Sequence, residues 1–117
     1  MNYLKISALS VNKAWQGRRF KTKEYKAYEE HLLLILPNKV FIPEGDILLV
    51  CEFGVSKAFD IDNAIKPFQD VLQKKYGFND NRIIQLLLIK KVVKKGNQYI
   101  KFKMLETKSE INFENYK

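Results

Sequence analysis

From Tyr99 to Met104 the chain alternates with a period of two. Tyr99, Lys101 and Lys103 fall on one face of an extended segment, and Ile100, Phe102 and Met104 on the other. Such a strand buries one side and wets the other, so the fold must contain a sheet with a single dry face. Ahead of it, Ile83 to Val93 is an apolar, β-branched run that reads as a central strand. Lys94-Lys95-Gly96-Asn97 between the two reads as a tight hairpin turn.

The remaining elements follow from period and punctuation. Tyr3 to Leu9 reads as a first strand, and Ser10 to Thr22 as a polar, basic, glycine-containing loop. Lys23 to about Ile35 has helical composition, with Tyr28, Leu32 and Ile35 along one apolar stripe and Glu24, Glu29 and Glu30 elsewhere; Pro37 ends it. Pro43-Glu44-Gly45-Asp46 turns the chain into a strand from Ile47 to about Val55. A second helix runs to about Lys75, with Ile65, Phe68, Val71 and Leu72 at helical spacing. Proline lacks the amide donor and fits only the first turn without disturbing the ladder, so Pro67 predicts a helix starting near Asn63 to Lys66 or an irregular first turn. The order strand, helix, strand, helix, two-strand hairpin predicts an α+β domain, a mixed sheet with two helices. At 117 residues, 46% hydrophobic, one domain spans 1–117 and buries roughly two-thirds of its unfolded surface. Residues 106–117 are mixed in composition, carry no assignable element and read as a loosely ordered tail.

Charge is unevenly placed. Lysine and arginine number 21 against 13 acids, a net charge of +8. Met1 to Lys23 holds six basic residues and no acid, and Arg82 to Lys103 holds seven and no acid. Between these blocks lie Asp60, Asp62, Asp70 and Asp80, four of the chain's five aspartates. Basic surface attracts a polyanion through phosphate contact and counterion release, while clustered carboxylates suit a hard divalent cation. A phosphodiester approaches such a cluster only once metal neutralises it, so the pattern points to a metal-dependent nuclease. The competing reading is structural: Asp60 or Asp62 caps a helix, and Asp62, Lys66 and Asp70, spaced i, i+4, i+8, form surface ion pairs.

Cysteine and histidine narrow the chemistry. Cys51 is alone and lies in the apolar run Ile47 to Cys51, so it reads as a small buried hydrophobe and no intrachain disulfide forms. His31 is the lone histidine and no Cys-x-x-Cys pair exists, which disfavours zinc and leaves oxygen ligands with Mg²⁺ or Mn²⁺. Neither a signal-peptide core nor a membrane-length apolar stretch is present, so a soluble cytoplasmic protein is expected.

Asp60-x-Asp62-Asn63-x-x-Lys66-Pro67-x-x-Asp70-x-Leu72, followed by Asn79-Asp80-x-x-Ile83 and the strand lysine Lys90, resembles the RusA family of Holliday junction resolvases. Ser10-Val11-Asn12, followed by basic residues and a helix, is similar to the family's opening. The resemblance implies a RusA-like fold and a homodimeric endodeoxyribonuclease that binds four-way DNA junctions and cuts two opposed strands symmetrically with Mg²⁺, in recombination and repair. It assigns catalytic and metal-binding roles to Asp60, Asp62 and Asp80, and an essential role to Lys66. Many members carry Asp-Asp where this chain has Asp80-Asn81. The Asp-x-x-Ile spacing to Ile83 and the position of Lys90 favour Asp80, with Asn81 as the alternative register.

In this reading Lys66 stabilises transition-state charge or orients water, or else forms a salt bridge to Asp62 or Asp70. Asp70 either orients Lys66 or touches metal, and Asn63 is a hydrogen-bond partner near the metal or simply opens the helix. Lys13, Arg18, Arg19 and Lys21 are the candidate DNA contacts, with Trp15 or Phe20 to stack at a junction centre or to anchor the loop. Lys90, Lys91, Lys94 and Lys95 extend the basic surface or protect an edge strand. Two other functions fit the sequence: a non-catalytic nucleic-acid-binding module, and a nuclease of this fold acting on other branched DNA.

Overall fold

A computed structural model of the chain describes residues 1–17 and 20–107, with the side chain of Phe20 excepted. Strands β1 (Asn2–Leu4), β4 (Ile47–Val55), β5 (Ile83–Val92) and β6 (Tyr99–Glu106) form one mixed sheet in the order β1-β6-β4-β5. Helices α1 (Lys23–Ile35) and α2 (Asp62–Tyr76) pack on one face of it. Between β1 and α1, a 3-10 turn (Val11–Lys13) leads into a two-stranded ribbon of β2 (Trp15–Gln16) and β3 (Phe20–Lys21). The α+β class, with a mixed sheet and two helices, is therefore the observed one.

The dry face is built as the alternation requires. Ile47, Leu49, Cys51, Phe53 and Val55 of β4 and Ile100, Phe102 and Met104 of β6 meet Tyr25, Tyr28 and Leu32 of α1 and Phe68, Val71 and Leu72 of α2. Phe68 sits at the centre, its ring edge-on to both Phe53 and Phe102. Each such side chain contributes about 1.5–3 kcal/mol by leaving water. Cys51 belongs to this core, and burial pushes its thiol pKa well above the ordinary range. On the opposite face Tyr3 stacks on Tyr99, whose hydroxyl donates to Glu52 at 2.8 Å, and Lys101 lies 3.7 Å from the same carboxylate.

Caps account for the helix limits. The Thr22 hydroxyl accepts the Tyr25 amide at the start of α1, and Gly77, at φ 72°, closes α2 in the left-handed conformation that glycine takes without strain. The Tyr76 hydroxyl donates to the Pro37 carbonyl at 2.6 Å, which ties the end of α2 to the end of α1.

Two topological expectations are overturned. β5 and β6 are not a hairpin: β4 lies between them, parallel to β5 and antiparallel to β6. Residues 93–98 carry the chain past the end of β4, where the Val93 amide donates to the Val55 carbonyl. The central strand is β4, buried along almost its whole length, whereas among the described residues β5 pairs only with β4 and forms an edge. A run of apolar residues looks the same in both settings, because hydrophobicity records burial and not the number of neighbouring strands. The first strand is shorter than expected, and the loop before α1 is partly ordered. Glu106 closes β6; the remainder of the expected tail from 108 onward lies outside the described residues.

Candidate active site

The loop after β4 and the first turn of α2 carry Asp60 and Asp62. Within residues 56–61 the Phe59 amide donates to the Ser56 carbonyl. Lys90 reaches back from β5 and donates to the Lys57 carbonyl at 2.7 Å, so this lysine anchors the loop to the sheet. The Asn63 amide then donates to the Asp60 carbonyl and the Ala64 amide to the Ile61 carbonyl, each at 3.0 Å. These bonds from residue i+3 to residue i make a tight turn at the entry to α2, which begins at Asp62, ahead of the Asn63-to-Lys66 start that Pro67 suggested. Pro67 itself is buried inside the helix, with no amide to offer the Asn63 carbonyl. Asp62 is the first helical residue, where the exposed amides of the helix start favour a carboxylate.

A cleft of about 410 Å³ opens here. Asp60 and Asn63 line it from the α2 side, Ser10 and Lys13 from the N-terminal segment, and Glu24 from α1. The N-terminal wall is held by Thr22, whose hydroxyl donates to the Lys13 carbonyl at 2.6 Å while capping α1. Sequence reasoning missed Glu24 as a site residue. The Thr22 cap fixes it in the first turn of α1, but nothing local sets that turn beside Asp60.

A second charged group forms around Lys66. Its Nζ lies 2.8 Å from Asp70 Oδ1 and 3.9 Å from Asp80 Oδ2. The hydrogen bond to Asp70, then the charges of Asp70 and Asp80, hold the ammonium pKa above its ordinary value against the opposing effect of burial. Asp80 is presented by a 3-10 turn (Asp80–Arg82), which Asn79 caps by accepting the Asn81 amide. The Arg82 guanidinium pins the turn to the Gly45 and Pro43 carbonyls. Asp80 is the member of the Asp80-Asn81 pair that meets Lys66.

Asp60, Asp62 and Asp80 do not converge on one point. Among the described residues no three His, Cys, Asp or Glu side chains gather closely enough to hold a metal ion. The donor chemistry nevertheless suits Mg²⁺, which commonly takes one or two carboxylates and completes its shell with water and substrate phosphate. Asp60 and Asp62, two residues apart at the helix start, supply that number.

The candidate DNA contacts separate. Lys13 lines the Asp60 cleft. Lys21 is committed elsewhere: its ammonium lies 2.9 Å from Glu29 and over the Tyr25 ring, while Glu29 also receives Lys74 at 2.6 Å. Trp15 packs edge-on against Tyr25 and is still partly exposed. Arg18, Arg19 and the Phe20 side chain lie outside the described residues. Lys91, Lys94 and Lys95 are exposed. Among the described residues no helix is long and apolar enough to cross a membrane. No protein-family model matches the chain, and no curated protein matches it.

Proposed function

We propose that the protein is a Mg²⁺-dependent, structure-specific endodeoxyribonuclease of RusA type, cutting four-way DNA junctions by paired, symmetric phosphodiester hydrolysis. The observation that carries this reading is the shared cleft of Asp60, Asn63 and Lys13, which joins the acidic motif to the basic N-terminal segment in one concavity. A phosphodiester there meets the Lys13 ammonium from the N-terminal segment, the Asp60 carboxylate at the start of α2 and Glu24 from α1.

In this proposal Asp60 and Asp62 would hold Mg²⁺ or Mn²⁺, and Asp80, which stands beside Lys66 and not with the other two, acts through that lysine. Such an ion, when bound by Asp60 and Asp62, would supply positive charge for the scissile phosphate and lower the pKa of water. Lys66 stabilises charge on the phosphate in the transition state, and Asp70, hydrogen-bonded to its ammonium, fixes where that charge sits. Lys90 positions the Asp60 loop through the Lys57 carbonyl. Two symmetric cuts need two such sites about a two-fold axis, hence a homodimer. The exposed Ile84, Leu86 and Leu87 of edge strand β5 support association with another chain.

The pairing of Lys66 with both Asp70 and Asp80 favours a second reading, a non-catalytic nucleic-acid-binding module in which these aspartates are structural. Cleavage of a synthetic four-way junction by wild type and Asp62→Asn, with Mg²⁺ or chelator, beside duplex and flap controls, separates the two. Metal-dependent symmetric nicking by wild type alone supports the resolvase. Tight binding with no cleavage under any metal supports the module, and preferred flap cutting supports a nuclease for other branched DNA.

A further inference from the structure

The cleft at the start of α2 continues beyond Asp60. Ala8 and Leu9 line it and also line a second cleft of about 500 Å³, which extends from the N-terminal segment to α1 and the turn between β5 and β6. The polar side chains lining this second cleft are Lys5, Ser7, Tyr28, His31 and Gln98, and no carboxylate takes part; the buried Tyr28 hydroxyl has no hydrogen-bond partner among the described residues. Gln98 accepts the Gly96 amide through its side-chain oxygen at 2.7 Å, which leaves its NH₂ group to donate to a ligand. Lys94 and Lys95, both exposed, immediately precede Gly96.

One groove therefore changes character along its length. The part with Asp60 and Glu24 attracts cations, and the part with Lys5, His31, Ser7 and Gln98 offers one fixed positive charge and several hydrogen-bond donors. We infer that the second cleft is a phosphodiester subsite, holding the backbone of the nucleic-acid strand beside the phosphate that enters the Asp60 cleft. This rests on the proposed nuclease reading for the identity of the strand, but it makes a binding claim of its own. Backbone phosphates need donors and positive charge without competing carboxylates, and this stretch of the groove provides them. The Ala8-Leu9 segment common to both clefts sets the path of the strand between them.

The test is junction binding in chelator, so that no cleavage intervenes, followed by fluorescence anisotropy for wild type, Lys5→Glu and His31→Glu. Lys39→Glu, exposed and in neither cleft, controls for net charge. Lys5 and His31 are exposed, so all three variants should melt like wild type. The subsite predicts binding weaker by about fivefold or more for Lys5→Glu and His31→Glu but by less than about twofold for Lys39→Glu, with a salt slope reduced by about one for Lys5→Glu. A titration with a short single-stranded oligodeoxynucleotide, followed by amide NMR, should shift residues 5–9, His31 and 96–98. Equal affinity for all four proteins, or shifts confined to other residues, overturns the subsite even where wild type cleaves junctions. Selective loss in the two cleft variants, without cleavage by wild type in Mg²⁺, upholds the subsite and sinks the nuclease reading.

Discussion

Replacing Lys66 with methionine removes a charge and keeps most of the side chain's apolar stem, which makes the loss readable as electrostatics. The ammonium faces Asp70 at 2.8 Å and Asp80 at 3.9 Å, and its side chain is 54% exposed. Two unit charges 4 Å apart attract by about 1 kcal/mol in water, and exposed i, i+4 pairs deliver about 0.3–0.5 kcal/mol. The two pairs together thus stabilise the fold by about 1 kcal/mol at most, which is about 4 °C in Tm for a domain of this size. A charge aimed at a developing transition state is worth far more, with typical losses of about 10²–10³ in rate, or about 2.7–4 kcal/mol. Urea denaturation and single-turnover junction cleavage in Mg²⁺, run on the same preparations, should therefore disagree: a small loss of stability beside a large loss of rate. Cleavage within about fivefold of wild type would reduce Lys66 to a surface ion-pair partner. A stability loss above about 3 kcal/mol would show that the exposed-pair argument misjudged its surroundings.

Three other perturbations test separate parts of the structure. A Cβ at Gly54 would lie 2.4 Å from the Tyr99 ring, so Gly54→Ala should displace the ring from Tyr3 and Glu52 and cost about 1–3 kcal/mol in urea denaturation, a loss that Tyr99→Ala should largely suppress. Burial raises the Glu29 pKa, but hydrogen bonds from Lys74 and Lys21 outweigh it and hold the carboxyl below its ordinary 4.5. A depressed folded value means stability that is present above 4.5 and lost as pH falls through the folded value, so Glu29→Gln should flatten the decline of Tm below about pH 4.5. Since Asp80 meets Lys66, Asp80→Asn should abolish junction cleavage and Asn81→Ala should be tolerated; the reverse pattern would place the third carboxylate's role at the neighbouring position.

The bounds of α1 and β4 were readable to within a residue or so, while the first strand, expected over Tyr3 to Leu9, ends at Leu4. Thr22 and Pro37 bracket α1 and turn residues precede β4, whereas α2 begins at Asp62 and carries Pro67 inside it, beyond its first turn. The Lys66–Asp70 pair was also legible, because i, i+4 spacing puts both on one helix face. Strand neighbours were not. Lys94 to Asn97 has the chemistry of a hairpin turn, with Gly96 at φ 95°, but turn chemistry is local and carries no record that β4 lies between the strands it appears to join. Nor could periodicity bring Glu24 and Asp60 to one cleft, or Asp80 to Lys66, since each contact depends on how α2 packs against elements distant in sequence. The acidic motif was thus visible as a composition and a spacing, while its division between a cleft and an ion-pair group was not.

β1 pairs with β6 in the register Asn2↔Phe102 to Leu4↔Ile100, across nearly the whole described length. During synthesis Asn2–Leu4 leaves the ribosome long before Tyr99–Glu106 exists to receive it. β4, α2 and β5 can meet before β6 is made, although one edge of β4 and part of the core stay open until it arrives; β1 has no strand partner at all until the slow, distant pairing with β6 closes the largest loop in the chain. The segment following β1 builds one wall of both clefts, so the groove is expected to be among the last features to form. A chain whose β6 has not yet paired would carry its acidic motif on a half-built core and still have no groove to offer a nucleic acid.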